Sequence, residues 1–239
     1  MSAAVPIDGP VKQDVGVVIV AGGAGARVGG TELKQFRWVA GKPMLLHSVQ
    51  TFMARPDVGM VVCVLPREYV GDPPPWLFQC DLERLQISVG GRTRTESVSN
   101  GLDDLPDEAQ VVLIHDAARP FVGDDTISRV IASVREGHAT VAAVPVVDTL
   151  KEVDAAGTII RTVDRESLWR AQTPQGFSRE LIVRAHREAR AGRISATDDA
   201  ALCERMGIRV KVVRGSERAM KITEESDFAR AEAMFLLAE

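Results

Sequence analysis

The chain has 239 residues, 45% of them hydrophobic and 26% charged, a length that allows one large domain or two small ones. Its net charge of −4 argues against general nucleic-acid binding, and no apolar run approaches the roughly 18 residues that span a membrane. The odd number of widely spaced cysteines, Cys63, Cys80 and Cys203, predicts neither a disulfide framework nor a zinc site, so we expect a cytoplasmic protein.

In chain order, a short lead-in precedes a long alternation of strand and helix patterns. Residues 1–14 contain Pro, Gly and Asp but no basic region followed by an apolar stretch, so we predict a disordered segment rather than a secretion signal. Residues 15–239 predict a single domain, because no linker of domain scale interrupts them. Short runs rich in Val and Ile predict six strands, at residues 16–20, 60–65, 86–89, 111–114, 140–147 and 209–213.

Helical patterns lie between or after these strands. Apolar residues recur at helical spacing from Ile127 to Val134, behind two aspartates that suit a helix start. A second apolar stripe follows Ser178, and a third runs from Phe228 to Phe235. The alternation predicts an α/β fold with a doubly wound, mainly parallel sheet, in which ligands bind beyond the carboxyl ends of the strands.

Residues 148–169 interrupt this alternation. Two β-like runs, at residues 151–153 and 158–163, flank turn-forming residues at 154–157. The segment therefore predicts a protruding β-hairpin arm rather than another strand of the sheet. Because an isolated two-stranded hairpin is marginal in water, its apolar residues need cover from another surface.

The first predicted strand leads directly into a glycine-rich loop from Ala21 to Gly30. Small residues allow successive backbone N–H groups to approach a phosphate closely. Val28 stands where a dinucleotide-binding fingerprint needs glycine, and Lys34 is not followed by the Ser or Thr of a P-loop. Arg27 inside the loop and Lys34 after it are suited to contact phosphate oxygens. The alternative is a surface turn with two solvated charges.

Polar residues also follow the apolar run at residues 111–114. Asp116 is suited to hold a magnesium–phosphate complex and Arg119 to orient it. The alternative is a structural Asp–Arg pair that stabilises the loop before Pro120.

Another glycine pair, Gly90 and Gly91, follows the strand predicted at residues 86–89. Its backbone groups are suited to bind the edge of a base, and Ser97 to contact a sugar. A helix N-cap at Thr95 or Ser97 is the alternative interpretation.

The remaining polar residues have ordinary structural interpretations. Residues 197–199 predict a helix start, with Thr197 as the N-cap and two acids in the first turn. Arg165 and Lys221 are far apart in the chain and individually are typical of solvated charges. Three histidines lack partners at metal-ligand spacing and are interpreted as structural: His47, His138 and His186.

Together these segments resemble the 2-C-methyl-D-erythritol 4-phosphate cytidylyltransferase family over nearly the whole chain after about Val15. The sequence His-Asp-Ala-Ala-Arg is specific, and its occurrence in order with Thr-Pro-Gln makes coincidence implausible. The matching motifs lie at residues 21–27, 33–36, 115–120, 148–151, 162–165, 168–175, 197–200 and 220–223.

The resemblance implies a Rossmann-like nucleotidyltransferase with Mg²⁺ as cofactor and a homodimer formed through the arm. It implies that the enzyme transfers CMP from CTP to 2-C-methyl-D-erythritol 4-phosphate, giving 4-diphosphocytidyl-2-C-methyl-D-erythritol and pyrophosphate in non-mevalonate isoprenoid precursor synthesis. The transition-state stabilisers that it implies are Arg27 and Lys34. It also implies that five residues position the acceptor: Arg165, Lys221, Thr149, Asp116 and Arg119. The implied nucleotide-binding residues are Ala21, Gly22, Gly23, Gly25, Gly90, Gly91, Ser97 and Ala117.

The chain departs from the family pattern at three places. Its loop begins Val-Ala-Gly-Gly rather than Pro-Ala-Ala-Gly, Arg92 replaces a commonly polar or acidic residue, and Arg218 and Ala219 stand where an acid is common. The first departure is similar to sister enzymes that use ribitol 5-phosphate, so a ribitol 5-phosphate cytidylyltransferase is one alternative. A regulator that binds CTP without turnover is another, although such a protein needs no acceptor-binding cations.

Overall fold

A seven-stranded sheet organises the part of the chain that the structure, a computed structural model, describes: residues 11–23 and 33–236. The strands are β1 (Val15–Val20), β2 (Trp38–Val39), β3 (Lys42–Pro43), β4 (Val58–Leu65), β5 (Leu85–Val89), β6 (Val111–Asp116), β7 (Ala139–Pro145), β8 (Leu150–Val153), β9 (Ile159–Val163), β10 (Trp169–Ser178) and β11 (Val210–Arg214). The helices are α1 (Met44–Met53), α2 (Arg94–Asp103), α3 (Asp124–Arg135), α4 (Arg179–Gly192), α5 (Asp199–Arg205) and α6 (Glu225–Leu236).

The strand order confirms the predicted doubly wound, mainly parallel sheet. It is β11-β7-β10-β6-β1-β4-β5, in which β10 runs antiparallel to both of its neighbours and the other pairs are parallel. In register, Val20 at the end of β1 lies opposite Val64 of β4 and Asp116 of β6. The carboxyl ends of these strands therefore form one edge of the sheet.

Helices cover both faces of the sheet. Alternate residues of β1 point to opposite faces, as in any strand: Val17 and Ile19 pack with α1 and α3, whereas Val18 packs with α2, α4 and α5. Burial on both faces explains why β1 is a continuous apolar run rather than an alternating one.

All six predicted strands agree with the observed bounds to within two residues at each end. β6 continues to Asp116, two residues beyond its prediction, and β7 ends at Pro145 rather than at residue 147. The central strand β10 was not predicted, because it contains Pro174 and two glutamines, which are unusual inside a sheet. The pairing of β10 with β7 shifts register between Ala171 and Gln175, and this irregularity accommodates the proline.

Two predicted helix starts are correct and one needs correction. α3 begins at Asp124, and Ser178 caps α4 by accepting a hydrogen bond from the backbone N–H of Leu181. At α5 the N-cap is Asp198 rather than Thr197, because the Asp198 carboxylate accepts from the N–H of Ala201.

The predicted arm forms as an isolated antiparallel pair of strands, β8 and β9. Its apolar side chains Ile159 and Ile160 are 58% and 59% exposed. Of the predicted lead-in, residues 1–10 lie outside the described residues, whereas Asp14 is buried and accepts a hydrogen bond from Arg135 at 2.8 Å. Within the described chain, none of the helices has the length and apolarity that a membrane crossing requires.

Candidate active site

The loops after β1, β5 and β6 meet at one edge of the sheet, around a cavity of about 500 Å³. Most residues predicted to bind a nucleotide line it: Ala21, Gly22, Gly23, Gly91, Ser97 and Ala117. Lys34, Asp116 and Lys221 also line it, whereas Gly25 and Arg27 lie outside the described residues. The cavity residues not predicted from sequence are Val20, Gln35, Met44, Arg92, Thr93, Arg94 and Ala118.

Gly22 and Gly90 let two of these loops pack backbone against backbone. A Cβ atom on Gly22 would lie 3.2 Å from the Cα of Gly90 and 3.2 Å from the Oγ of Ser97. A Cβ atom on Gly91 would overlap the Cβ of Glu96. The glycines therefore allow these loops to approach each other closely beside the cavity.

Ser97 lines the cavity, as its predicted contact with a sugar requires, but it is not the N-cap of α2. Thr93, rather than Thr95 or Ser97, is the N-cap of α2, and its side chain accepts from the N–H of Glu96. The Ser97 hydroxyl donates to the Thr93 carbonyl at 2.9 Å and accepts from the Gly91 N–H at 3.0 Å. Ser97 thus fixes the glycine loop against the first turn of α2.

Gln35 and Lys34 fix the other side of the cavity. The buried side-chain amide of Gln35 donates to the carbonyls of Ala21, at 2.7 Å, and Gly23, at 3.1 Å. Lys34 donates to the carbonyl of Ile222 at 2.8 Å, which places its ammonium group beside the segment that contains Lys221. Gln35 was not predicted as a site residue, because a glutamine after a lysine has no distinctive spacing.

A network of ion pairs around the buried Asp116 forms the floor of the cavity. Asp116 accepts from Arg94 Nε at 3.2 Å through one carboxylate oxygen and from Lys221 Nζ at 2.7 Å through the other. Burial alone would raise the pKa of Asp116, but the charges of Arg94 and Lys221 hold it well below its ordinary value. Asp116 is therefore ionised and holds two cations in fixed positions. Lys221, which sequence alone could not connect to Asp116, reaches it across 105 residues.

His115 and Thr173 support this network from the sheet. The Thr173 hydroxyl accepts from the backbone N–H of Asp116 at 3.0 Å and lies 3.0 Å from His115 Nδ1. His115 Nε2 lies 3.1 Å from the carbonyl of Arg119, which can only accept, so Nδ1 is the acceptor for Thr173. Burial lowers the pKa of His115 to about 4, so the ring is neutral at pH 7.

Arg119 does not pair with Asp116 through a hydrogen bond. Its guanidinium donates instead to the carbonyls of Ala219, at 2.8 Å, and Ala171, at 3.2 Å. These bonds tie the loop after β6 to β10 and to the segment before Lys221. The alternative interpretation, a structural pair between Asp116 and Arg119, is therefore wrong, because Asp116 pairs with Arg94 instead.

A second cavity of about 240 Å³ adjoins the first. Its walls are Arg94, Asp116, Arg119, Ala171, Gln172, Thr173, Gln175, Thr197, Asp198 and Lys221. Arg94, Asp116 and Lys221 belong to both cavities, so their charges lie at the boundary between the two. The unpredicted strand β10 contributes Thr173 and Gln175 to the second cavity.

Thr149 and Arg165, predicted to position the acceptor, line neither cavity of their own chain. Both are exposed and lie at the base of the arm. The guanidinium of Arg165 donates to the backbone carbonyl of Val147, which is next to the arm. A single chain therefore does not bring these residues to the charged boundary.

The acids of the site suit a phosphate-held cation better than a protein-held one. Among the described residues, no group of three or more His, Cys, Asp or Glu side chains is arranged to bind a metal ion. Asp116 faces both cavities, but each of its oxygens already accepts from a cationic side chain. A divalent ion at this site would need most of its ligands from phosphate oxygens and water, an arrangement that Mg²⁺ accepts readily.

Comparisons with known proteins identify relatives of this chain. The sequence model of the family described as IspD: 2-C-methyl-D-erythritol 4-phosphate cytidylyltransferase matches residues 15–236. The 2-C-methyl-D-erythritol 4-phosphate cytidylyltransferase of Streptomyces coelicolor is 44% identical over 229 residues, covering 91% of this chain and 83% of that protein. The crystal structure of the enzyme of the same name from Thermus thermophilus superimposes with a TM-score of 0.78 at 34% identity, covering 93% of this chain and 99% of that one.

A bifunctional relative matches over only part of its length. The bifunctional enzyme IspD/IspF of Desulfotalea psychrophila is 40% identical over 217 residues, or 90% of this chain. This chain spans 55% of that protein.

Proposed function

This chain belongs to the 2-C-methyl-D-erythritol 4-phosphate cytidylyltransferase family, and from that membership we propose how its two adjoining cavities divide the reaction. The enzyme transfers CMP from CTP to 2-C-methyl-D-erythritol 4-phosphate and releases pyrophosphate, a step of isoprenoid precursor synthesis. CTP occupies the larger cavity, with its phosphates on the glycine-rich loop. The polyol occupies the smaller cavity, with its phosphate at the shared charges.

The chemistry requires positioning rather than proton transfer. A phosphate oxygen of the acceptor attacks the α-phosphorus of CTP, and the bond from that phosphorus to the β-phosphate oxygen breaks as pyrophosphate leaves. The second pKa of a phosphate monoester is about 6, so the attacking group is already largely dianionic at neutral pH. The protein therefore has to align the two phosphates and neutralise the charge on the oxygens around phosphorus.

The residues that line both cavities give the most direct support for placing CTP in one cavity and the polyol phosphate in the other. Arg94 and Lys221 lie where the two cavities join, and Asp116 holds both of them. An acceptor phosphate at this boundary lies beside the α-phosphate of a nucleotide whose tail follows the glycine loop. Lys34, which contacts the segment of Lys221, is then placed to stabilise the transition state.

Pyrophosphate release tests the function and separates it from its rivals. Wild-type enzyme with CTP and Mg²⁺ is assayed with 2-C-methyl-D-erythritol 4-phosphate, with ribitol 5-phosphate and without acceptor. We expect the methylerythritol substrate to give the highest kcat/KM. Faster turnover of ribitol 5-phosphate would favour the sister activity, and CTP binding without pyrophosphate release from any acceptor would favour a regulator.

The positions of the shared cations predict which kinetic constant each substitution changes. Lys221→Met should raise KM for the acceptor more than KM for CTP, because the lysine faces the boundary where the acceptor phosphate lies. Lys211→Met, on the exposed strand β11, is a matched control outside the site. An unchanged acceptor KM in Lys221→Met would contradict the placement of the acceptor.

We place Mg²⁺ on the triphosphate of CTP rather than on a protein-built site. The only support from the described part of the protein is Asp116, whose carboxylate is close to the proposed phosphate positions but is already held by two cations. Titrating Mg²⁺ at fixed CTP should give activity that follows the concentration of the Mg–CTP complex. Tight Mg²⁺ binding to the enzyme without nucleotide would contradict this placement.

The exposed arm leads us to propose a homodimer. Val153, Ile159 and Ile160 are each more than half exposed, and an unsupported two-stranded hairpin is marginally stable. A second copy that covers these side chains would also bring the partner's Thr149 and the partner's Arg165 toward the acceptor cavity. This arrangement accounts for the distance of both residues from the cavities of their own chain.

Mixing two inactive variants tests whether the site is shared. An Arg165→Ala chain and a Lys34→Ala chain are combined under conditions that permit subunit exchange. In a two-fold dimer with shared sites, half of the dimers are mixed and each has one intact site, so about a quarter of wild-type activity should return. No recovery despite verified exchange would show that Arg165 acts within its own chain.

We also propose a cytoplasmic location without nucleic-acid or membrane partners. All three cysteines, Cys63, Cys80 and Cys203, are free thiols, which suits a reducing compartment. Fractionation of cells that produce the protein should place it with the cytoplasmic markers.

A further inference from the structure

A line of buried hydrogen bonds extends from the shared charges to helix α4, behind the cavity walls. Arg94 Nη1 donates to one carboxylate oxygen of Asp199 at 2.7 Å, and the other oxygen lies 3.0 Å from His186 Nε2. The side chains of Asp199 and His186 are 1% and 2% exposed. Neither residue lines the two cavities, so neither can contact the substrates proposed for them.

Asp199 determines the orientation of the Arg94 guanidinium. Arg94 donates from Nε to Asp116 and from Nη1 to Asp199, and two fixed nitrogens define the plane of the group. Burial alone would raise the pKa of Asp199, but the charge of Arg94 and the hydrogen bond from His186 lower it. Asp199 therefore presents a full negative charge to Arg94 at neutral pH.

His186 in turn fixes the Asp199 carboxylate. A carboxylate oxygen can only accept, so the proton of this hydrogen bond is on His186 Nε2. His186 Nδ1 has no hydrogen-bond partner among the described residues, so the hydrogen bond that orients the ring there is the one to Asp199. The backbone N–H of Asp199 donates to Gln175 Oε1 at 3.0 Å, which anchors the main chain but leaves the carboxylate orientation to His186 and Arg94.

We propose that His186 is a positioning residue for cytidylyl transfer: through the Asp199 carboxylate it holds the Arg94 guanidinium beside Asp116 and Lys221 at the boundary of the two cavities. The inference rests on the proposed function, since cytidylyl transfer is its readout. An imidazole fits this task because its rigid ring supplies one directed N–H donor to the carboxylate. Loss of that donor leaves the carboxylate free to rotate, and Arg94 loses one of its two fixed contacts.

Paired substitutions at His186 separate positioning from folding. His186→Leu fills the buried space but has no donor, whereas His186→Gln keeps an N–H donor close to the position of Nε2. We expect His186→Leu to lower kcat about tenfold, since misplacement of a catalytic group by about 1 Å can cost up to a hundredfold. His186→Gln should recover most of that loss. The thermal midpoint of each variant and the fraction folded are measured in parallel.

A double-mutant cycle with Arg94 decides whether His186 acts through this arginine. Adding His186→Leu to an Arg94→Ala enzyme should lower kcat no further, because the group that His186 orients is absent. The same fold-decrease in both backgrounds, or a wild-type kcat for His186→Leu, would overturn the proposal. If His186→Leu does not fold, the same cycle with Asp199→Asn applies. Failure of the proposed function would instead show as a wild-type enzyme that releases no pyrophosphate with any acceptor.

Discussion

Protonation of His115 should destabilise the enzyme in a defined range of mildly acidic pH. The ring is fully buried, and its two nitrogens are matched to a neutral tautomer by the Thr173 hydroxyl and the Arg119 carbonyl. Burial lowers its pKa from an ordinary value of 6.5 to about 4. Between these values the unfolded chain binds the proton and the folded chain does not, so the free energy of unfolding rises with pH.

The size of the effect follows from this pKa difference. At about 1.4 kcal/mol for each pH unit, the folded state loses about 3 kcal/mol as the pH falls from above 6.5 to below 4. About 2 kcal/mol of that loss should be present at pH 5. The pKa values of Asp116 and Asp199 are lowered in the folded protein, so the stability that these groups give is lost only as the pH falls below the ordinary pKa of an aspartate. They therefore change the free energy of unfolding little above pH 5.

Urea unfolding at a series of pH values, followed by tryptophan fluorescence, measures this loss. His115→Asn is the comparison, because its Oδ1 can still accept from Thr173 while its side chain does not titrate. Burial also lowers the pKa of His47, which therefore contributes in the same direction in both proteins. Wild type should lose about 2 kcal/mol more than the variant between pH 7 and pH 5. Parallel losses in the two proteins would refute the assignment to His115.

Further predictions concern the nucleotide side of the site. Arg27→Ala and Lys34→Ala should each lower kcat about a hundredfold with little change in the Kd for CTP, and near-normal turnover of both would refute their role in the transition state. CTP should support faster pyrophosphate release than ATP if, as the sequence predicts, the backbone at residues 90–91 binds the base edge; equal rates would contradict base recognition. Gly91→Ala should raise KM for CTP, because its methyl group would displace Glu96 and the start of α2. Gly71→Ala is a matched control, since nothing lies within 4 Å of a Cβ atom there, and equal effects of the two substitutions would argue against the steric explanation.

The parts of the site that sequence predicted are those whose signal is local. A glycine loop directly after an apolar strand places backbone N–H groups at a known edge of a parallel sheet, so Gly22, Gly23 and Gly91 were found without knowledge of tertiary contacts. The same local logic predicted β1, β6 and the start of α3. It did not predict β10, because this strand contains polar residues that line the second cavity, Thr173 and Gln175, where a buried strand is normally apolar.

Three charged residues, Arg94, Asp199 and Lys221, could not be identified in the same way, for a physical reason. A lone Arg or Asp in a sequence is normally solvated, because its burial is costly unless the fold supplies a partner of opposite charge. Arg94 and Asp199 are 105 positions apart, as are Asp116 and Lys221, so no window of sequence contains either pair. The resemblance to the family supplied Lys221 but neither Arg94 nor Asp199.

This arrangement also means that the cations of the site do not act independently. Two carboxylates and two cations alternate along the line from Asp199 through Arg94 and Asp116 to Lys221, and each inner member is held by both neighbours. The Asp199 carboxylate is buried, so removal of Arg94 leaves it without its cationic partner, which costs about 3–5 kcal/mol. A single substitution therefore moves the remaining groups as well as deleting its own contact. For this reason the kinetic effects of these residues have to be compared in pairs, and the Arg94–His186 cycle is more informative about the site than either substitution alone.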